Sequence, residues 1–300
     1  MPNILVTGAN GQLGSEIHEH TSNSKFKIQN SKFTFHFTDK DELNITDYHA
    51  IKNFCTENNI NVIINCAAYT AVDKAEEDEI SADKINHLAV KYLAEISKEK
   101  NITLIHISTD YVFDGTNYKP YIESDVTNPN GIYGQTKLNG EKAMQDINPN
   151  NSIIIRTSWV YSSYGANFVK TMLRLGKESD SLGVIFDQVG TPTYARDLAK
   201  AILEIIQNSK FKIQNSTSHT EIYNFSNEGV ASWYDFAKEI MEQAKINCAI
   251  VPIESFEYPL PAPRPSYSVL NKRKIKDSFN LSIPYWKDSL KIALRQISNI

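Results

Sequence analysis

Over its first 160 residues the chain alternates short apolar runs, rich in β-branched residues, with longer amphipathic stretches. Residues 4–7, 34–38, 62–65, 103–108 and 153–157 read as strands, and residues 47–57, 80–99 and 134–145 as helices between them. A strand covered on both faces shows as a near-continuous apolar run. A helix between two such runs carries the chain back, so that the next strand starts in the same direction. The pattern predicts an α/β fold with a doubly wound parallel sheet and helices on both faces. Residues 1–160 form the sheet domain. Segments at about 182–206 and 221–226 are expected to return to it, and the rest of residues 161–300 to form a smaller, mostly C-terminal lobe over a ligand.

Bulk properties narrow the function classes. A net charge of −4 supplies no field to attract nucleic acid or an anionic membrane surface. The sequence holds no run of about 18 apolar residues of the kind that spans a bilayer. Met1-Pro2-Asn3 leads straight into a strand-like stretch, not a secretory signal. Cys55, Cys66 and Cys248 are too far apart for a metal motif or a disulfide framework, which fits a reducing cytoplasm. The expectation is a soluble cytoplasmic protein with no nucleic-acid or membrane partner and no metal ligands. The sequence Asn-Ser-Lys-Phe-Lys-Ile-Gln-Asn-Ser occurs twice, at residues 23–31 and 208–216. Each copy falls between a helix and a strand, where loops tolerate insertion, so both read as inserted segments outside the chemistry.

The first strand runs into Gly8, Ala9, Asn10, Gly11, Gln12, Leu13 and Gly14, a GxxGxxG spacing that opens a helix. Glycines allow a tight turn and a close backbone approach to a pyrophosphate, and the helix N-terminus offers N–H groups and a positive dipole end. This is the signature of a Rossmann-type dinucleotide site. Asp39 follows the second strand, where a carboxylate can bind a ribose; Lys40 beside it can neutralise a 2′-phosphate. The pair leaves NADH and NADPH both open. Asp39 also has a plain reading as a solvated loop residue, since Asp41 and Glu42 are close by. Ala67, Ala68 and Tyr69 follow the third strand, and the small alanine side chains let a cofactor lie against the sheet edge.

The fourth strand ends near Thr109 and Asp110, and Tyr133 and Lys137 follow on a predicted helix. Residues four apart share one helix face. A free phenol, with a pKa near 10, is a poor acid–base catalyst at neutral pH. A neighbouring ammonium favours the phenolate and would lower that pKa. Tyr133 can then protonate a carbonyl oxygen as hydride arrives, with Thr109 donating to the same oxygen and Lys137 holding the nicotinamide ribose.

Taken in chain order, these pieces resemble the extended short-chain dehydrogenase/reductases, and within them the dTDP-4-dehydrorhamnose reductase family. The resemblance covers nearly the whole chain apart from the two repeated segments. It is carried by GANGQLG (8–14), NCAAYTAVDKA (65–75), STDYVFDG (108–115), Tyr133 to Lys137, RTSWVY (156–161), NFVKTMLRL (167–175), DQVGTPT (187–193) and Arg264-Pro265. It implies NAD(P)H-dependent reduction of the 4-keto group of dTDP-4-dehydro-L-rhamnose to dTDP-L-rhamnose. It makes Tyr133 the proton donor, Lys137 its partner and Thr109 the third catalytic residue. Thr109, Asp110, Trp159, Asn167, Gln188 and Arg264 are then the substrate contacts. Gly8, Asn10, Gly11, Gln12, Leu13, Gly14, Asp39, Asn44, Ile45, Ala67, Ala68 and Tyr69 join Tyr133 and Lys137 around the cofactor, and Asn86 props the lysine through water. The family is often dimeric, in some members around a magnesium ion. That leaves a homodimer as an option, and Mg2+ by analogy alone.

This chain departs from the family at two places. Asn44 stands where aspartate is usual, and Ala166 replaces a frequent asparagine beside Asn167. Plain readings compete in the second half. Trp159 could be core, Arg264 a surface residue, and the charge run from Asp73 to Glu79 a solvated helix start. Rival functions are another sugar-nucleotide enzyme, such as a 4-epimerase or 4,6-dehydratase, and a non-catalytic regulatory subunit like that of methionine adenosyltransferase. Asp110 is followed by Tyr111, not by the glutamate typical of a dehydratase, and the intact Thr109, Tyr133 and Lys137 disfavour a purely binding role.

Overall fold

The computed structural model describes residues 2–22, 33–207 and 220–297, so both copies of the repeated segment lie outside the described residues. The strands are β1 (Asn3–Thr7), β2 (Thr34–Thr38), β3 (Ile60–Asn65), β4 (Thr103–Thr109), β5 (Ile153–Thr157), β6 (Val160–Tyr161), β7 (Ser181–Ile185), β8 (Val189–Gly190), β9 (Thr193–Tyr194), β10 (Glu221–Asn224), β11 (Ala231–Ser232) and β12 (Ala249–Ile253). Six of them form one sheet in the order β10-β5-β4-β3-β1-β2. Every pairing in it is parallel. The winding reverses at β1, which lies between β2 and β3. In open α/β sheets such a reversal opens a crevice at the carboxyl ends of the strands, and ligands bind there.

The helices are α1 (Gln12–Ser22), α2 (Tyr48–Glu57), α3 (Val72–Ala75), α4 (Glu79–Asp83), α5 (Ala89–Lys100), α6 (Ile132–Ile147), α7 (Phe168–Glu178), α8 (Ala195–Gln207), α9 (Trp233–Ala244), α10 (Arg273–Phe279) and α11 (Trp286–Ile297). Strand residues alternate between two apolar layers, as a pleated sheet demands. Ile4 and Val6 meet Ile17, Leu198 and Ile202 on one face. Leu5 and Ile63 meet Val90 and Leu93 on the other. A third core, around Tyr161, Tyr194, Phe236 and Trp286, lies outside the sheet.

Two expectations change. The segment near residue 182 does not rejoin the central sheet: β7 pairs in parallel with β12 instead, while β10 does take the sheet edge beside β5. The predicted helix over residues 80–99 is interrupted by a π-helical turn, Lys84–Leu88, between α4 and α5. There α6 comes so close that a Cβ at Gly140 would stand 2.2 Å from the Asn86 carbonyl oxygen. The wider turn and the missing side chain together let the two helices touch.

Helix α6 is also tied to β5. Arg156 Nε and a terminal guanidinium nitrogen donate to the two oxygens of Glu141 at 2.9 and 2.6 Å, and both side chains are buried. Removing one member of such a pair strands the other charge. Glu141→Ala should therefore cost about 3–5 kcal/mol of stability in urea unfolding. A loss below about 1 kcal/mol, the range of a surface pair, would show that water reaches Arg156.

Candidate active site

The glycine loop closes on the end of β3. Gly8 has φ of 65°, and a Cβ there would stand 2.7 Å from the Ala67 nitrogen; one at Gly14 would stand 2.4 Å from the Gly8 oxygen. Only glycine permits both approaches, and they leave the N-terminus of α1 at the crevice. Asp39 braces this loop: Oδ2 accepts from the Asn10 N–H at 3.0 Å and Oδ1 from the Lys40 N–H at 2.8 Å. Lys40 is exposed beside it. The Tyr69 backbone is held at both polar groups by the Asn86 amide, at 2.9 and 3.1 Å. Asn44 turns its oxygen to Thr46, and Leu13 and Ile45 are buried in the apolar layers. A small-residue cradle, a helix N-terminus and a braced loop fit a dinucleotide.

The chemical residues converge one strand away. Strand β4 ends on Thr109, whose hydroxyl donates to Asp110 Oδ1 at 3.0 Å, accepts from the Tyr111 N–H at 3.2 Å and also pairs with the Tyr133 phenol. Tyr133 stands in the first turn of α6, which begins two residues earlier than the sequence pattern placed it. Its ring meets Tyr111 edge-on at 5.4 Å. The turn is held from outside the helix, because Glu76 accepts the Ile132 N–H at 2.9 Å. One turn on, Lys137 is 1% exposed and donates to the Ile107 carbonyl at 2.6 Å.

Burial sets the electrostatics. It pushes the Asp110 carboxyl up to about 6, against the Ser268 and Thr109 hydroxyls, which favour the charged form. It pushes the Tyr133 phenol up to about 12, with the Asp110 charge adding to the rise and the Thr109 hydrogen bond opposing it. It lowers the Lys137 ammonium to about 8, partly offset by Glu141. The sequence reading had Lys137 lowering the Tyr133 pKa. Here desolvation wins, and Lys137 gives one of its protons to the Ile107 carbonyl. A phenol that stays neutral at pH 7 is ready to act as an acid.

The other expected contacts spread around this centre. Trp159, with φ of 48°, stacks on Trp233 at 3.6 Å. Arg264 is clamped by Asp73 through two hydrogen bonds of 2.7 Å. Asp73 therefore belongs to no solvated run. Gln188 donates to Ser255 at 3.0 Å, and the exposed Asp187 accepts from the same serine. Asn167 caps α7 and gives its amide hydrogens to Gln12, Ser162 and Tyr164, which makes it a brace on the glycine loop. Sequence reasoning missed Glu76 and the buried His106, which carry no motif of their own, and read Asp73, inside the 65–75 motif, only as part of a charge run. Among the described residues no group of three or more His, Cys, Asp or Glu side chains is placed to hold a metal ion.

In an NMR titration of the folded protein, Asp110 should titrate near pH 6 and Lys137 near pH 8. Ordinary values for both would mean that water reaches the centre.

Three comparisons bear on this site. A family model described as the RmlD substrate binding domain matches residues 2–299. A dTDP-4-dehydrorhamnose reductase of Aggregatibacter actinomycetemcomitans is 40% identical over 297 residues, 97% of this chain and 98% of that one. Two solved structures of dTDP-4-dehydrorhamnose reductases superpose with a TM-score of 0.89. That from Clostridium acetobutylicum is 40% identical and covers 99% of both chains. That from Bacillus anthracis, in complex with NADP, is 35% identical and covers 99% of this chain and 100% of its own.

Proposed function

Because the chain belongs to the family described as the RmlD substrate binding domain, we propose that it is an NADPH-dependent reductase. It converts the 4-keto group of dTDP-4-dehydro-L-rhamnose to the alcohol of dTDP-L-rhamnose. The observation that carries this reading is the Thr109–Tyr133 hydroxyl pair, set over the Asp110 carboxyl at the carboxyl end of β4. When bound, the nicotinamide supplies the hydride. With the sugar bound, Thr109 turns its one hydroxyl hydrogen from Asp110 to the keto oxygen and Tyr133 donates to the same oxygen; the phenol keeps its proton until that oxygen develops negative charge. Lys137 stabilises the phenolate left behind and holds the cofactor ribose. Asp110 Oδ2, buried without a partner of good geometry, is available to a sugar hydroxyl. The stacked Trp159 and Trp233 give the sugar an apolar wall.

Lys40 favours the 2′-phosphate of NADPH, since both Asp39 oxygens already take backbone N–H groups. No described helix is long and apolar enough to cross a membrane.

The direct test is NADPH oxidation dependent on dTDP-4-dehydro-L-rhamnose. Cofactor binding without such oxidation would sink the reading. Tyr133→Phe should keep cofactor affinity while kcat falls by roughly 10²–10⁴-fold, the usual share of a general acid. Near-normal turnover would remove the phenol from the mechanism. Lys40→Ala should raise KM for NADPH and leave KM for NADH nearly unchanged; equal effects on both would place the 2′-phosphate elsewhere.

A further inference from the structure

Four buried polar side chains form a line beneath the crevice. Thr7, Asn65 and His106 are register neighbours across β1, β3 and β4. Thr7 Oγ1 and Asn65 Oδ1 are 2.7 Å apart, the Asn65 amide nitrogen and His106 Nδ1 3.0 Å, and His106 Nε2 and Lys137 Nζ 3.4 Å. None of the four is more than 1% exposed. The sheet core has no need of such a line, since three apolar side chains would pack there with no desolvation cost. It ends on Lys137, whose ammonium has three protons to place and, among the described residues, one backbone acceptor, Ile107.

We propose that His106, keyed by Asn65 and Thr7, is a positioning residue for the reduction: it accepts a hydrogen bond from Lys137 and holds that lysine charged and aimed at the cofactor. This rests on the function proposed above. An ammonium at Nζ requires a lone pair on His106 Nε2, hence the ring proton on Nδ1. In that state Asn65 turns its oxygen to the ring and its NH2 to the Thr7 hydroxyl. The structure sets the amide the other way, with the Thr7 hydroxyl donating to Oδ1 and the NH2 facing Nδ1, which puts the ring proton on Nε2 and suits only an uncharged lysine; a half-turn of the amide exchanges the two settings at the same heavy-atom positions. The tautomer of His106 and the orientation of Asn65 therefore fix each other and match the charge of Lys137. Burial and the Lys137 charge hold His106 well below the usual histidine range, so the ring itself stays neutral.

The other groups around Lys137 do not replace this acceptor. On α6, Glu141 is committed to Arg156, and Tyr133 is a neutral phenol. Beyond β4, the Asp110 carboxyl acts on Tyr133. Thr7 and Asn65, from β1 and β3, and Asn86, in the π turn, are buried and neutral.

The test reads NADPH affinity against pH by fluorescence, beside kcat/KM for the sugar. Wild-type affinity should weaken as Lys137 loses its proton near pH 8. In His106→Leu that limb should move down by about one pH unit, because the charged form loses a hydrogen bond. His106→Gln, whose amide offers an acceptor, should restore it. A folded His106→Leu with the wild-type limb, or a glutamine variant no better than leucine, overturns the proposal. Should His106→Leu fail to fold, Asn65→Asp carries the test. Its carboxylate can only accept, which locks the ring proton on Nδ1, so the limb should move up; no movement, or movement down, overturns it. The cofactor limb needs no sugar. A protein inactive on dTDP-4-dehydro-L-rhamnose would thus refute the substrate assignment and still report on His106.

Discussion

The site depends on how closely α6 lies against its neighbours. Its first turn must bring Tyr133 to Thr109, and its second must bring Lys137 under the end of β4. Three contacts fix that placement. Gly140 has no Cβ to strike the Asn86 carbonyl. The Glu141–Arg156 pair ties the helix to β5. Glu76 takes the first N–H group that the helix cannot satisfy itself. Burial then does the electrostatic work: in this dry setting a phenol stays protonated, while a carboxyl and an ammonium both move toward neutral pH. Position and protonation state share one cause, the exclusion of water by packing.

Much of this was legible in the sequence because parallel strands buried on two faces leave long apolar runs. The strands of the first 160 residues stand where those runs predicted, within a residue or two. The order of GxxGxxG, Thr109, Tyr133 and Lys137 marked residues that the fold does bring to one edge of the sheet. What stayed hidden was set by distant partners. The π turn at Asn86 has an ordinary helical pattern, and only the approach of α6 explains it. The pairing of β7 with β12 depends on which edge is free after the core forms. Asp73 and Glu76 looked like a solvated charge run, yet one clamps Arg264 and the other caps α6. His106 sits in an apolar strand, where one polar residue gives no sign of what it faces.

The segment around Arg264 shows how the two parts of the molecule are joined. Arg264 grips Asp73 on the sheet side, while the backbone groups of Ser266 and Ser268 bond to Val189 on the other. Val269 accepts from the N–H of Tyr121, and Asn271 donates back to its carbonyl. A surface pair of charges is worth little, but here a planar guanidinium, its side chain only 17% exposed, meets a carboxylate in a two-point grip.

That clasp joins residues almost two hundred positions apart in sequence, and this has a consequence for the order of assembly during synthesis. The glycine loop, the brace at Asp39 and the wall at Ala67 have all left the ribosome before the chain is a third complete. The segment that carries Arg264 emerges much later. For most of translation the nascent protein therefore carries Asp73 without the arginine that grips it. Loop-closure entropy makes so distant a contact late in folding as well as late in synthesis. The young chain passes through a stage with the glycine-loop edge of the sheet built and the Arg264 segment absent, and the clasp at Arg264 marks the end of that stage.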